Sequence, residues 1–204
     1  MALRPEFIWI TRRRFPITLG VGPAALVVTQ LSPTLLQTPQ LRGSPLAVPT
    51  IVLAAMLMGA SLALAFPAND PELELPAARD MRWRRALLGM ILCVWNILWI
   101  AALGLSQTSA SPESLGAGTR TFLVTSAALT AVTRWSSFTA AVSVLFAYLG
   151  CILFVGAERS GEPAWWAYVV ATYNPPLDLW LIALGALATL ALFWRRPPLR
   201  DSDD

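Results

Sequence analysis

Asp70-Pro-Glu-Leu-Glu-Leu-Pro-Ala-Ala-Arg-Asp-Met-Arg-Trp-Arg-Arg85 is the stretch whose reading decides the fold. It gathers Asp70, Glu72, Glu74 and Asp80 with Arg79, Arg82, Arg84 and Arg85. Almost everything around it is apolar. Val48–Phe66 precedes it and Ala86–Leu105 follows it, each near the ~20 residues that cross the hydrocarbon core of a bilayer. The segment, taken as residues 67–85, therefore reads as a charged hinge between two membrane spans. A mixed-charge surface exposed on one side of a membrane suits a soluble partner.

Composition agrees. Hydrophobic residues make up 56% of the 204 and charged residues only 13%, against about 25% in a typical soluble domain. Several runs reach spanning length, so the expected class is an all-α polytopic membrane protein forming a single transmembrane domain over residues 1–204. Divided this way, the chain leaves no room for a soluble catalytic domain. All fifteen basic residues are Arg. They cluster beside spans, where membrane orientation accounts for them and nucleic-acid binding is not needed. Cys93 and Cys151 lie in apolar runs and His is absent, which argues against a zinc site or a disulfide framework.

Outward from the hinge, residues 1–14 read as an amphipathic helix on the membrane surface. Leu3, Phe7 and Ile10 recur at helical spacing, and Arg4, Arg12, Arg13 and Arg14 suit anionic headgroups. A signal peptide is the alternative, but no small-residue cleavage site follows cleanly and Pro16 and Pro23 interrupt the apolar run. Phe15–Leu31 is a weak first span, broken by Gly20, Gly22 and Pro23. Ser32–Ala47 is expected to be a loop, Val48–Phe66 span two and Ala86–Leu105 span three. Span three places Asn96 between Trp95 and Trp99. A mid-span amide should face protein or a water-filled path, so these three are candidates for a substrate wall, with span-to-span packing as the plainer account. Ser106–Gly118 is expected to be a polar loop, with span four from near Arg120 to about Val132, a tight turn at Arg134–Ser137, and Phe138–Val155 as span five. Residues 156–176 hold Pro163–Ala171, too short to cross and too apolar for open solvent. They read as a re-entrant or interfacial helix, with Trp165, Trp166, Tyr168 and Tyr173 as an outer gate or as headgroup anchors. Leu177–Trp194 is span six, and Asp178 reads as an interfacial cap.

Six spans put both termini and the hinge on one side. That side then carries Arg4, Arg12, Arg13, Arg14, Arg79, Arg82, Arg84, Arg85, Arg134, Arg195, Arg196 and Arg200, and the other carries Arg42, Arg120 and Arg159. The excess marks the termini and hinge as cytoplasmic. No Ser has a base, no acidic chain runs through the spans, and no Gly-x-x-x-x-Gly-Lys loop is present, so neither catalysis nor ATP binding in that manner is expected of this chain.

The arrangement resembles the small six-span permeases of type-2 ABC exporters, in particular short actinobacterial ones with a separate ATPase. An Arg-rich amphipathic helix precedes a weak first span. The run Asp70–Arg79 followed by Arg82, Arg84 and Arg85 is similar to the acidic, Ala-Ala-Arg and Arg pattern where such permeases place their coupling helix, although Pro76 interrupts it. Pro163–Pro176 is similar to their re-entrant extracellular segment. The resemblance implies an exporter for a hydrophobic or amphipathic compound such as an antibiotic, peptide or lipid. It implies a pair of permease chains, identical or not, above a pair of ATPase subunits that hold ATP and Mg, with no cofactor or metal in this chain. Glu72, Glu74, Arg79, Arg82, Arg84, Arg85, Arg12 and Arg13 would then be the coupling residues in a plasma-membrane assembly. The alternative is a non-transporting anchor or regulatory subunit that binds a soluble cytoplasmic partner.

Overall fold

The computed structural model describes residues 15–31, 35–38, 40–41, 45–64, 81–106, 112–136, 138–158, 160, 162–164, 167 and 175–194. These residues are overwhelmingly helical. Six helices follow in order: α1 (Phe15–Leu31), α2 (Thr50–Leu64), α3 (Met81–Ser106), α4 (Pro112–Trp135), α5 (Phe138–Val155) and α6 (Pro175–Trp194). The amphipathic segment 1–14 lies outside the described residues, as does the hinge up to Asp80.

Three expectations are corrected. Ser32–Ala47 is not a plain loop: β1 (Leu35–Thr38) pairs antiparallel with β2 (Leu46–Pro49), Leu35 opposite Pro49 and Thr38 opposite Leu46. Val48, expected to open span two, belongs to this ladder. Pro49 drives the residue before it into extended backbone, and helix α2 starts only after the proline. Along β2 the side chains alternate, with Leu46 and Val48 buried and Ala47 exposed. Second, the fourth helix begins at Pro112, not near Arg120. Proline fits the first helical turn, and Glu113 complements the positive helix start. Third, six spans of matching character are not present. Among the described residues one helical segment, Ala86–Ser106 in α3, is long and apolar enough to cross a membrane. The apolar parts of α1, α2, α5 and α6 are shorter, and α4 carries Glu113, Arg120 and Arg134.

Contacts along the helices establish their directions. Leu19 meets Trp95, Gly22 meets Trp99 and Gln30 meets Ser106, so α1 and α3 run parallel. Gly118 lies by Ile51, and Gly59 by Phe122 and Ser126, so α2 and α4 are parallel. Gly104 faces Leu115 and Gly118 faces Ile100, which makes α3 and α4 antiparallel. Helix α6 runs with α4, because Arg120, Leu123 and Ser126 meet Asp178, Gly185 and Thr189 in the same order. The end of α5 meets the hairpin: Gln40 Nε2 donates to the Ile152 and Leu153 carbonyls, and the Leu41 N–H to that of Phe154. Carbonyls that a helix end leaves open are thus satisfied by protein. Helices α1, α3 and α5 point toward the hairpin end, and α2, α4 and α6 away from it.

Helix α4 is the centre of the bundle, with its largest interfaces to α2 and α6 and smaller ones to α3 and α5. One core cluster joins β2, α2, α3 and α4 through Val48, Ile51, Leu62, Ile100, Leu103 and Phe122. A smaller one, toward the opposite end, joins Met56, Ala60 and Ala63 to Leu129, Ala141 and Leu145. Apolar side chains also cover much of the outside, and polar ones sit within the apolar interior. Ile91, Val94 and Leu98 of α3, Phe146 of α5, and Trp180, Leu184 and Leu187 of α6 face outward, while Asn96, Arg120, Thr121, Thr125, Ser126, Thr130, Asp178 and Thr189 are buried.

Candidate functional site

The buried polar groups concentrate on α4 and on what it touches. Most of the hydroxyls return to their own helix. Ser126 donates to the Leu123 carbonyl, Thr133 to Thr130, Thr189 to Gly185 and Ser61 to Met58. This i−3 or i−4 bonding satisfies a hydroxyl without water or a neighbouring helix. Cross-helix ties are fewer. Thr18 donates to the Ser61 carbonyl at 3.0 Å, and the Ser126 and Thr189 hydroxyl oxygens lie 3.2 Å apart.

The charged member of this interior is a pair. Arg120 Nη1 donates to Asp178 Oδ1 at 2.8 Å, with the two side chains 1% and 0% exposed. Asp178 stands in the first turn of α6, where the positive helix start favours a carboxylate. Arg120 stands eight residues into α4, about 12 Å from its start at 1.5 Å per residue. Tyr148 of α5, half-buried, lies within electrostatic reach of Arg120. Taking either ion from water costs several kcal/mol, and mutual attraction offsets that only when the geometry is good. Below the pair the α4–α6 interface is neutral and close. A Cβ built on Gly185 would lie 3.1 Å from Leu123 Cβ. The segment after α5 closes over this end: Ala157 pairs with Pro163, the Ala164 N–H donates to the Gly156 carbonyl, and Ala164 and Ala167 pack into the main core.

The chain matches no family model, no curated protein and no solved structure.

Residues Trp95, Asn96 and Trp99 occupy two faces of α3. Trp95 Nε1 donates to the Leu19 carbonyl at 3.4 Å, and the Trp99 ring covers Gly22 so closely that a Cβ there would lie 2.5 Å from Trp99 Cδ1. The two rings meet edge to face, 5.7 Å between centroids. Both thus seat α1 on α3. Asn96 turns the other way and is fully buried. Its Nδ2 donates to the Leu92 carbonyl at 2.8 Å, and its Oδ1 has no hydrogen-bond partner among the described residues. That oxygen is an acceptor held inside the bundle.

Of the charged hinge, Arg82, Arg84 and Arg85 fall in the opening turns of α3, at the end opposite the hairpin. Glu72, Glu74, Arg79, Arg12 and Arg13 lie outside the described residues, as do Trp165, Trp166, Tyr168 and Tyr173. Among the described residues no three potential metal ligands come together. Sequence reasoning missed the ion pair. Read alone, the sequence sets Arg120 at the outer start of the fourth span and Asp178 as an interfacial cap, and nothing in it pairs them. The available signal was Pro112-Glu113, a helix start that places Arg120 two turns inside a helix.

Proposed function

We propose that this chain is the permease subunit of an ATP-driven exporter, its six helices crossing the plasma membrane and its ends and the 67–85 hinge facing the cytoplasm. The apolar exterior of the bundle, with its one charged pair buried among the described residues, carries the reading. A membrane rewards apolar side chains outside and requires charges inside to be paired. Helix α2 fits this setting when β2, which runs directly into it, is added. The 15 residues of α2 rise about 22 Å and the four of β2 about 13 Å, together more than the ~30 Å hydrocarbon core. A ladder buried in protein meets its own backbone bonds, as lipid demands. The alternating helix directions place the end of α2 and the start of α3, which flank the hinge, beside the start of α1 and the end of α6. Moving Arg120 into the bundle sharpens the charge asymmetry: of Arg42, Arg120 and Arg159 only Arg42 and Arg159 remain opposite the twelve.

In this reading the hinge, through Glu72, Glu74, Arg79, Arg82, Arg84 and Arg85 with Arg12 and Arg13, docks on an ATPase pair that binds ATP and Mg. A second permease chain completes the path for a hydrophobic or amphipathic compound. Asn96 borders that path, with Trp95 and Trp99 seating α1 on the opposite face of α3, and Trp165, Trp166, Tyr168 and Tyr173 close it outside. ATP can drive movement only if the hinge contacts the open and closed ATPase pair differently. The backbone-to-backbone approach at Gly59 favours a second reading, a rigid anchor that holds a soluble partner without transporting anything. Purification of the complex from its own membrane separates the two. Export predicts a co-purifying ATPase that hydrophobic compounds stimulate. It also predicts that Glu72→Ala with Glu74→Ala leaves the chain inserted but loses the ATPase. An anchor predicts a soluble partner with no such stimulation. A hinge that reacts with impermeant reagents only from outside the cell refutes both.

A further inference from the structure

We infer that Arg120 and Asp178 form a latch that holds α4 against α6 at the outer end of the bundle and must part for the path to open outward; this deepens the export reading and rests on it. Three observations point to a latch and not to a staple. The pair sits beneath the hairpin end, where Ala157, Ala164 and Ala167 close the bundle. Deeper in the same interface, Leu123 packs on Gly185 and Ser126 lies beside Thr189, neutral contacts of small side chains, so the charged tie between these helices lies at the outer end. And both side chains are withdrawn from solvent, 1% and 0% exposed, so separating them leaves two buried charges to be resolvated. Static stability alone explains the pair poorly. Apolar residues of similar volume often hold a core as well as a buried ion pair does, and ionisable groups inside a membrane are kept mainly where they act.

The test uses the full chain alone in lipid vesicles. Ala117, buried on α4 three residues from Arg120 toward the hairpin end, is replaced by Cys with Cys93→Ser and Cys151→Ser. Labelling by a membrane-impermeant maleimide then reports opening of the outer end. The latch predicts slow labelling of the parent. It predicts labelling at least about tenfold faster in Asp178→Asn, since one partner then lacks its charge. Return to the slow rate is expected in Arg120→Asp with Asp178→Arg, and an intermediate rate in Asp178→Glu, which keeps the charge should the neutral variant not insert. Equal labelling in parent, Asp178→Asn and Asp178→Glu overturns the latch, as does a charge exchange that labels as fast as the neutral variant. Because no ATPase is present, these results stand apart from the export reading. Fast labelling of Asp178→Asn without ATP-driven export by any complex of the parent chain sinks that reading alone, and export with unchanged labelling sinks the latch alone.

Discussion

Replacing Gly59 by alanine sets a methyl carbon 2.7 Å from the Phe122 carbonyl oxygen and 3.1 Å from both the Ser126 nitrogen and Thr125 Cβ. Two of the three neighbours are backbone, which cannot turn aside as a side chain does. Helices α2 and α4 must therefore part by about 0.7 Å at this point to recover an ordinary ~3.4 Å contact, loosening dispersion contacts on both sides. Overpacking of this kind costs about 1–3 kcal/mol. Alanine also gains about 1 kcal/mol over glycine in a helix interior, which blurs the net effect, but Gly20 supplies the control. It too lies inside a helix, and a Cβ there meets nothing within 4 Å. The propensity gain is common to both, so Gly59→Ala should be less stable than Gly20→Ala by about 1–3 kcal/mol. Reversible unfolding of the two variants in mixed detergent micelles measures the difference. Stabilities agreeing within about 0.5 kcal/mol, the scatter expected of substitutions that touch nothing, would refute the close approach of α2 and α4.

Gly22→Ala should loosen α1 from α3, because its Cβ would lie 2.5 Å from Trp99 Cδ1. The obstruction is a side chain, so Trp99→Leu added to Gly22→Ala should recover part of the loss, a coupling of about 0.5–3 kcal/mol in a double-mutant cycle; strictly additive effects would contradict the contact. Gln40→Ala strips the Ile152 and Leu153 carbonyls of a donor and the Ala157 N–H of its acceptor. It should cost about 1–3 kcal/mol and speed hydrogen exchange at Ala157, and undiminished protection there would count against the hairpin as the cap of α5.

The helices most legible in the chain are those whose apolar runs stop abruptly at polar residues. Phe15–Leu31 and Phe138–Val155 are bounded in the structure as the runs themselves are bounded. Hydropathy fails where a helix carries polar residues into the packed interior. The first turns of α4, from Pro112 to Thr119, are polar enough to pass for a loop, which sets Arg120 at a span's edge and not two turns inside a helix. The hairpin escaped for another reason: four-residue strands offer too little alternation to stand out among Pro, Gln and Ser. The spacing of Trp95, Asn96 and Trp99 was visible, but their division between two faces needed α1 in place. The partners of the ion pair lie 58 residues apart in the chain, and no local pattern joins them.

The hydroxyls that bond within their own helices have a mechanical consequence. A donor already spent on the carbonyl one turn back travels with its helix. When α4 shifts along its axis, Ser126 and Thr133 keep those bonds and leave no bare donor behind. Resistance to axial slip then comes from Gly59 and Gly185 seated against the central rod and from a few ties to α6, Arg120 to Asp178 and Ser126 beside Thr189. Away from those ties, a rod of this build meets its sleeve through van der Waals contacts, which re-form at a new register at little cost.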